Sequence, residues 1–129
     1  MSSSAVVDAS AFLAVIFGEP ESAGVERRLV RMRYVAPALL LFEVANVTLV
    51  KARRHPERRA ELFEAYENFT RFEIEFADVD FVAVLSVAQR RNLSAYDASY
   101  VWLALSRGLD LVSLDKRMIE AHEAERQAP

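Results

Sequence analysis

No cysteine occurs among the 129 residues. Disulfide frameworks, zinc–thiolate sites and thiol nucleophiles are therefore excluded, and a reducing cytoplasm, the expected setting, is compatible with that absence without being required by it. Only 3 glycines and 4 prolines punctuate a chain that is 53% apolar, which excludes a disordered or loop-dominated polypeptide. The two histidines, His55 and His122, stand among charged residues on stretches that read as solvent-facing helix, so neither is expected to be a metal ligand. With no cysteine and no well-placed histidine, nucleophilic triads have no support. Long apolar runs are missing too. The most apolar segment, residues 34–50, is shorter than the roughly 20 residues of a membrane helix and carries Glu43, so it reads as a buried helix. No basic and apolar leader of the signal-peptide kind is visible, and no membrane association is expected.

What is present is an alternation of short apolar runs with helical patterns. Residues 5–8 read as a buried strand and 10–17 as a helix stopped by Gly18 and Pro20. Helical spacing continues over 21–32, and residues 34–36 form a strand-like triplet. A long helix is expected from 38 to about 54, with Pro56 suited to the first turn of the next, whose stripe is Leu62, Phe63, Tyr66 and Phe69. Residues 72–76 alternate as a strand and 79–91 are helical. A loop at 92–94 precedes a helix over 95–106 that Gly108 should close. A last strand at 109–113 and a helix at 116–125 complete the series. This order predicts one α/β domain over 1–129, a mostly parallel, short-stranded sheet flanked by helices in three layers. Residues 1–4 and 126–129 are expected to fray.

Four acids stand out. In an open parallel sheet, ligands gather beyond the carboxyl ends of the strands, and Asp8 and Asp115 both follow strand-like runs. Each also suits the N-cap of the helix that follows. Asp97 lies in Ser94-Ala95-Tyr96-Asp97, which matches a capping box. Glu43 is different, since its helical neighbours are Leu39, Leu40, Asn46 and Val47, so no solvated face is expected there. A carboxylate so placed is costly unless it is paired, protonated or bound to a cation. A single partner such as a buried arginine is one answer, and a convergent acidic cluster holding a hard dication, Mg²⁺ or Mn²⁺, is another. Ser10 and Ser113 are placed to orient Asp8 and Asp115.

With these residues in hand, the chain resembles the PIN-domain ribonucleases, and more closely the VapC-type toxins of bacterial toxin–antitoxin pairs. The carriers are Val6-Val7-Asp8-Ala9-Ser10, Phe42-Glu43-Val44-Ala45-Asn46, Ser94-Ala95-Tyr96-Asp97-Ala98 and Leu111-Val112-Ser113-Leu114-Asp115. The resemblance implies a four-acid catalytic site of Asp8, Glu43, Asp97 and Asp115 that binds Mg²⁺ or Mn²⁺ and cuts RNA endonucleolytically. It also implies a PIN-like fold, a homodimer, and silencing by a cognate antitoxin whose C-terminal segment occupies a groove near the site. Serine at 113, where many relatives carry threonine, keeps the hydroxyl. On this reading Asp8, Asp97 and Asp115 hold the metal, and Glu43 and Asp115 orient or deprotonate a water. Ser10, Asn46 and Ser113 support the acids.

A net charge of −3 argues against simple coating of nucleic acid. Basic residues nevertheless cluster at 27–33, 51–59, 90–91 and 116–117. Most are expected to be solvated faces balancing nearby glutamates, with Lys116 and Arg117, beside Asp115, the better phosphate contacts. Side chains such as Phe12, Phe17, Leu40, Leu41 and Trp102 exceed what one core need hold, so part of the apolar surface suits a partner. Two other classes stay open: a small metal-dependent phosphohydrolase, for which Asp8-Ala9-Ser10 lacks a second aspartate, and a non-catalytic RNA-binding or interaction module of the same fold.

Overall fold

Apolar triplets such as Ala5-Val6-Val7 are too short and too uniformly apolar for anything but a strand buried on both faces. The computed structural model describes residues 3–128 and places them so. Its strands are β1 (Ser3–Val7), β2 (Met32–Ala36), β3 (Ile74–Phe76) and β4 (Asp110–Val112), in the order β3-β2-β1-β4 with every neighbouring pair parallel. Parallel neighbours need helical crossovers. These are α1 (Ala9–Ile16) and α2 (Ser22–Leu29), α3 (Leu39–Arg54) and α4 (Arg59–Phe69), and α5 (Phe81–Arg91) and α6 (Ala95–Arg107), while α7 (Lys116–Gln127) follows the last strand. One helical layer gathers α2, α3 and α4 around α1, and the other packs α5 and α7 against α6, which also meets β1.

Local chemistry sets the boundaries. Asp8, Asp80, Ser94 and Asp115 cap α1, α5, α6 and α7 with their side chains. Gly108 closes α6 in the left-handed conformation at φ 64°. Pro56 opens a single 3₁₀ turn, residues 56–58, and α4 starts after it.

Several expectations need correction. The helix expected over 21–32 stops at Leu29, because Arg31 turns left-handed at φ 62° and sends Met32 and Arg33 into β2. Those two residues pair with Ser3 and Ser4, so the expected fraying of 1–4 does not extend to Ser3 and Ser4, whose backbone belongs to the sheet. At the other end α7 runs on through Gln127; Met1, Ser2 and Pro129 lie outside the described residues. His122 is buried, not solvent-facing. With Met118 and Ala121 it forms the inner stripe of α7.

The core centres on Phe12, whose ring meets Tyr34, Phe69 and Phe72 edge-on at centroid distances of 5.9, 5.4 and 5.4 Å. Leu40 is fully buried and Phe17 and Trp102 half-buried. The buried-helix reading of 34–50 holds only in part, since α3 buries the stripe Leu40, Val44, Thr48 and Ala52. Phe42 is 74% exposed, with Leu41 and Leu49 also facing out. On α4, Leu62 and Phe69 are buried and Phe63 lies exposed.

Candidate active site

Val7 lies opposite Val112 in the parallel pairing of β1 with β4, so Asp8 and Ser113 leave the sheet at the same end. The Asp8 amide extends the ladder by donating to the Val112 carbonyl at 3.2 Å. Its carboxylate, 3% exposed, then meets three donors. Oδ1 accepts from the Ala11 amide at 3.1 Å and from Ser10 Oγ at 2.7 Å, and Oδ2 accepts from Ser113 Oγ at 2.6 Å. Burial pushes the Asp8 carboxyl above its usual range, while these hydrogen bonds pull the other way. Ser10 Oγ also accepts from the Leu114 amide at 2.9 Å. Two serines thus tie the ends of β1 and β4 together across more than 100 residues of sequence.

Asp115 caps α7 with a single oxygen, Oδ1, which accepts from the amides of Arg117 at 2.9 Å and Met118 at 3.2 Å. Its own amide donates to Ser113 Oγ at 3.0 Å. Capping and a place at the site are therefore compatible, because the cap leaves Oδ2 uncommitted. Ser94 Oγ caps α6 by accepting from the Asp97 amide at 3.0 Å. The half-buried Asp97 carboxyl is pushed up by burial first and by the charge of Asp115 second, with the Ser94 hydroxyl and Arg117 pulling it down.

Glu43 sits at the edge of the buried stripe of α3 and is half-buried rather than fully enclosed. The exposed residues Phe42, Ala45 and Asn46 beside it form the outer face that its apolar neighbours concealed. Its partner is not an arginine. Tyr100 on α6 donates its hydroxyl to Glu43 Oε1 at 2.6 Å. Burial pushes the Glu43 carboxyl up, Tyr100 pulls it down, and the charges of Asp97 and Asp8 push it up again.

The four acids thus form an electrostatic ring, with Asp8 coupled to Asp115 and Glu43, and Asp97 coupled to the same two. They are neighbours but not a closed cage: among the described residues, no three acids or histidines stand close enough to grip one ion. Asp8, Glu43 and Asp115 have each turned at least one carboxylate oxygen to a hydroxyl or amide donor. The donor set is all-oxygen and rich in carboxylate, which in its chemistry fits a hard dication.

Of the supporting residues, Asn46 is exposed and bonds none of the acids among the described residues. Lys116 is exposed; the Arg117 guanidinium donates to the Asn92 carbonyl and lies near Asp97. Among the described residues, the glutamates do not balance the first basic group. Arg58 pairs with Glu61, and Arg90 and Arg91 pair with Glu125, but Arg27, Arg28, Arg31 and Arg33 pair with no carboxylate. Arg27 and Arg28 line a 420 Å³ cleft that reaches Ser113 and Leu114. Sequence spacing did not single out Tyr100, although its position three residues after Asp97 puts both on one face of α6.

A family model described as "PIN domain" matches residues 5–124. Ribonuclease VapC3 of Pyrobaculum aerophilum is 33% identical over 125 residues, 92% of this chain and 95% of that protein. A crystal structure of PAE2754, also from Pyrobaculum aerophilum, superposes with a TM-score of 0.73 at 27% identity and covers 94% of this chain and 87% of that one. Its parallel sheet, the acids at the carboxyl edge of that sheet and the extent of these matches agree: the chain belongs to the PIN-domain family.

Proposed function

We propose that this protein is a Mg²⁺- or Mn²⁺-dependent endoribonuclease, the toxin of a type II toxin–antitoxin pair in the cytoplasm. The observation that carries this reading is the ring of Asp8, Glu43, Asp97 and Asp115, drawn from four separate elements to one edge of the sheet. The relationship to a protein named as a VapC ribonuclease supports the same chemistry. Asp8, Asp97 and Asp115 are the residues that would hold the ion, on drawing closer around it than they stand here; when bound it would supply an activated water and neutralise charge on the phosphate. Ser10 and Ser113 keep Asp8 in place. Glu43, whose carboxyl is already raised, is suited with Asp115 to orient the attacking water or take its proton.

RNA must approach an acidic edge, and Lys116 together with Arg27 and Arg28 in their cleft offers phosphate contacts. A homodimer is supported by a 590 Å³ apolar cleft lined by the exposed Phe42, Phe81 and Tyr96, with the exposed Leu85 one helical turn beyond Phe81. An amphipathic antitoxin helix suits the 360 Å³ apolar groove between α3 and α4, lined by Leu49, Phe63 and Tyr66.

The decisive experiment is cleavage of a labelled RNA with Mn²⁺, with EDTA as control, for the wild type and Asp8→Asn. Cleavage is expected only for the wild type with metal, at unchanged secondary structure of the variant. An active Asp8→Asn protein, or full activity in EDTA, removes the proposal.

A further inference from the structure

The hydroxyl of Tyr100 is a polar group in an apolar place. The side chain is 1% exposed, it sits in the central stretch of α6, and phenylalanine would fill the same volume without a polar atom to satisfy. A buried hydroxyl requires a partner, and the partner here is Glu43 Oε1 at 2.6 Å, 57 residues away on another helix. The bond is short, as expected of an O–H donor on a carboxylate. It is also the link that ties α6, which carries Asp97, to α3, which carries Glu43.

We infer that Tyr100 is a positioning residue for Glu43: its hydroxyl fixes the carboxylate by Oε1 and leaves Oε2 as the oxygen that meets the attacking water. The inference rests on the nuclease reading above and assigns a role that reading does not contain. Two further observations favour it. Burial holds the phenol far above its usual range, so it stays a donor and never competes as a base. Glu43, by contrast with Asp8, has no backbone amide or serine holding it among the described residues; Asp8 has three such donors. Without Tyr100, the Glu43 carboxylate would be free to rotate on an edge where Asp97 and Asp8 repel it. Misplacement of a reacting group by about 1 Å lowers rate by about a hundredfold.

The test is Tyr100→Phe, which deletes one oxygen and keeps the ring. Steady-state cleavage of RNA should show kcat lowered about ten- to a hundredfold with KM little changed. Mn²⁺ affinity by calorimetry should stay within about twofold, because Glu43 lies outside the proposed ligand set. A purely packing role would lower the unfolding temperature and leave kcat per folded molecule intact. Unchanged kcat in folded Tyr100→Phe, or a loss of kcat matched by an equal loss of metal affinity, overturns the inference while leaving the nuclease reading standing. Wild type without metal-dependent cleavage overturns both. Should Tyr100→Phe not fold, the wild type still decides. A slowly exchanging tyrosine hydroxyl proton, seen by NMR and lost in Glu43→Ala, is expected, and its absence from the wild type overturns the inference.

Discussion

Ser113 shows how much one hydroxyl carries at this site. It donates to Asp8 Oδ2 at 2.6 Å and accepts from the Asp115 amide at 3.0 Å, so it joins two of the four acids. Alanine there would leave a buried carboxylate oxygen without its donor, at a cost of about 1–3 kcal/mol. Urea unfolding of Ser113→Ala should show that loss, and Ser113→Thr, which keeps the oxygen, should restore most of it. Equal stability of the two variants would contradict the hydrogen-bond account. Asp8 and Asp115 were legible because a strand-like run ending on an acid has a fixed meaning in a parallel sheet. The partner of Glu43 was not, since nothing in the spacing of residues 43 and 100 foretells that α3 and α6 meet there.

Among the elements, α7 departs furthest from its pattern. Its charged sequence suggested an open face, yet Met118, Ala121 and His122 form a buried stripe. Burial, with Arg126 nearby, holds the His122 imidazole below its ordinary value. The unfolded chain therefore takes up the proton first on acidification. Stability from this group is complete above the usual histidine range and is lost as pH falls through it toward the depressed folded value. Thermal unfolding followed between about pH 7.5 and 5.5, around the ordinary histidine pKa, should show a steeper acid-side loss for the wild type than for His122→Asn. Parallel curves would refute the assignment. The same limit explains α3, where a run of apolar residues concealed that only one position per turn is buried. It also explains β2, whose start depends on a left-handed Arg31 that no propensity favours.

For the protein as an assembly, the cleft lined by the exposed Phe42, Phe81 and Tyr96, with Leu85 one helical turn beyond Phe81, carries the next prediction. Apolar side chains so gathered are expected to be covered in solution by a second copy. Leu85 is 61% exposed in the single chain, so Leu85→Glu should leave the unfolding temperature of the monomer intact. In sedimentation, the wild type should run as a dimer and the variant as a monomer; a variant that still dimerises would move the interface elsewhere. The order of elements and the parallel sheet could be read from residue order alone, because periodicity, capping chemistry and strand-end position are local rules, and the same rules singled out Asp8 and Asp115 as acids at strand ends. Which apolar residues stay outside, where His122 goes, and which groups hold Asp8 and Glu43 were decided only by folding. The partners of Glu43 and Asp8 come from segments 57 and 105 residues away, and no local pattern encodes the meeting of two distant surfaces.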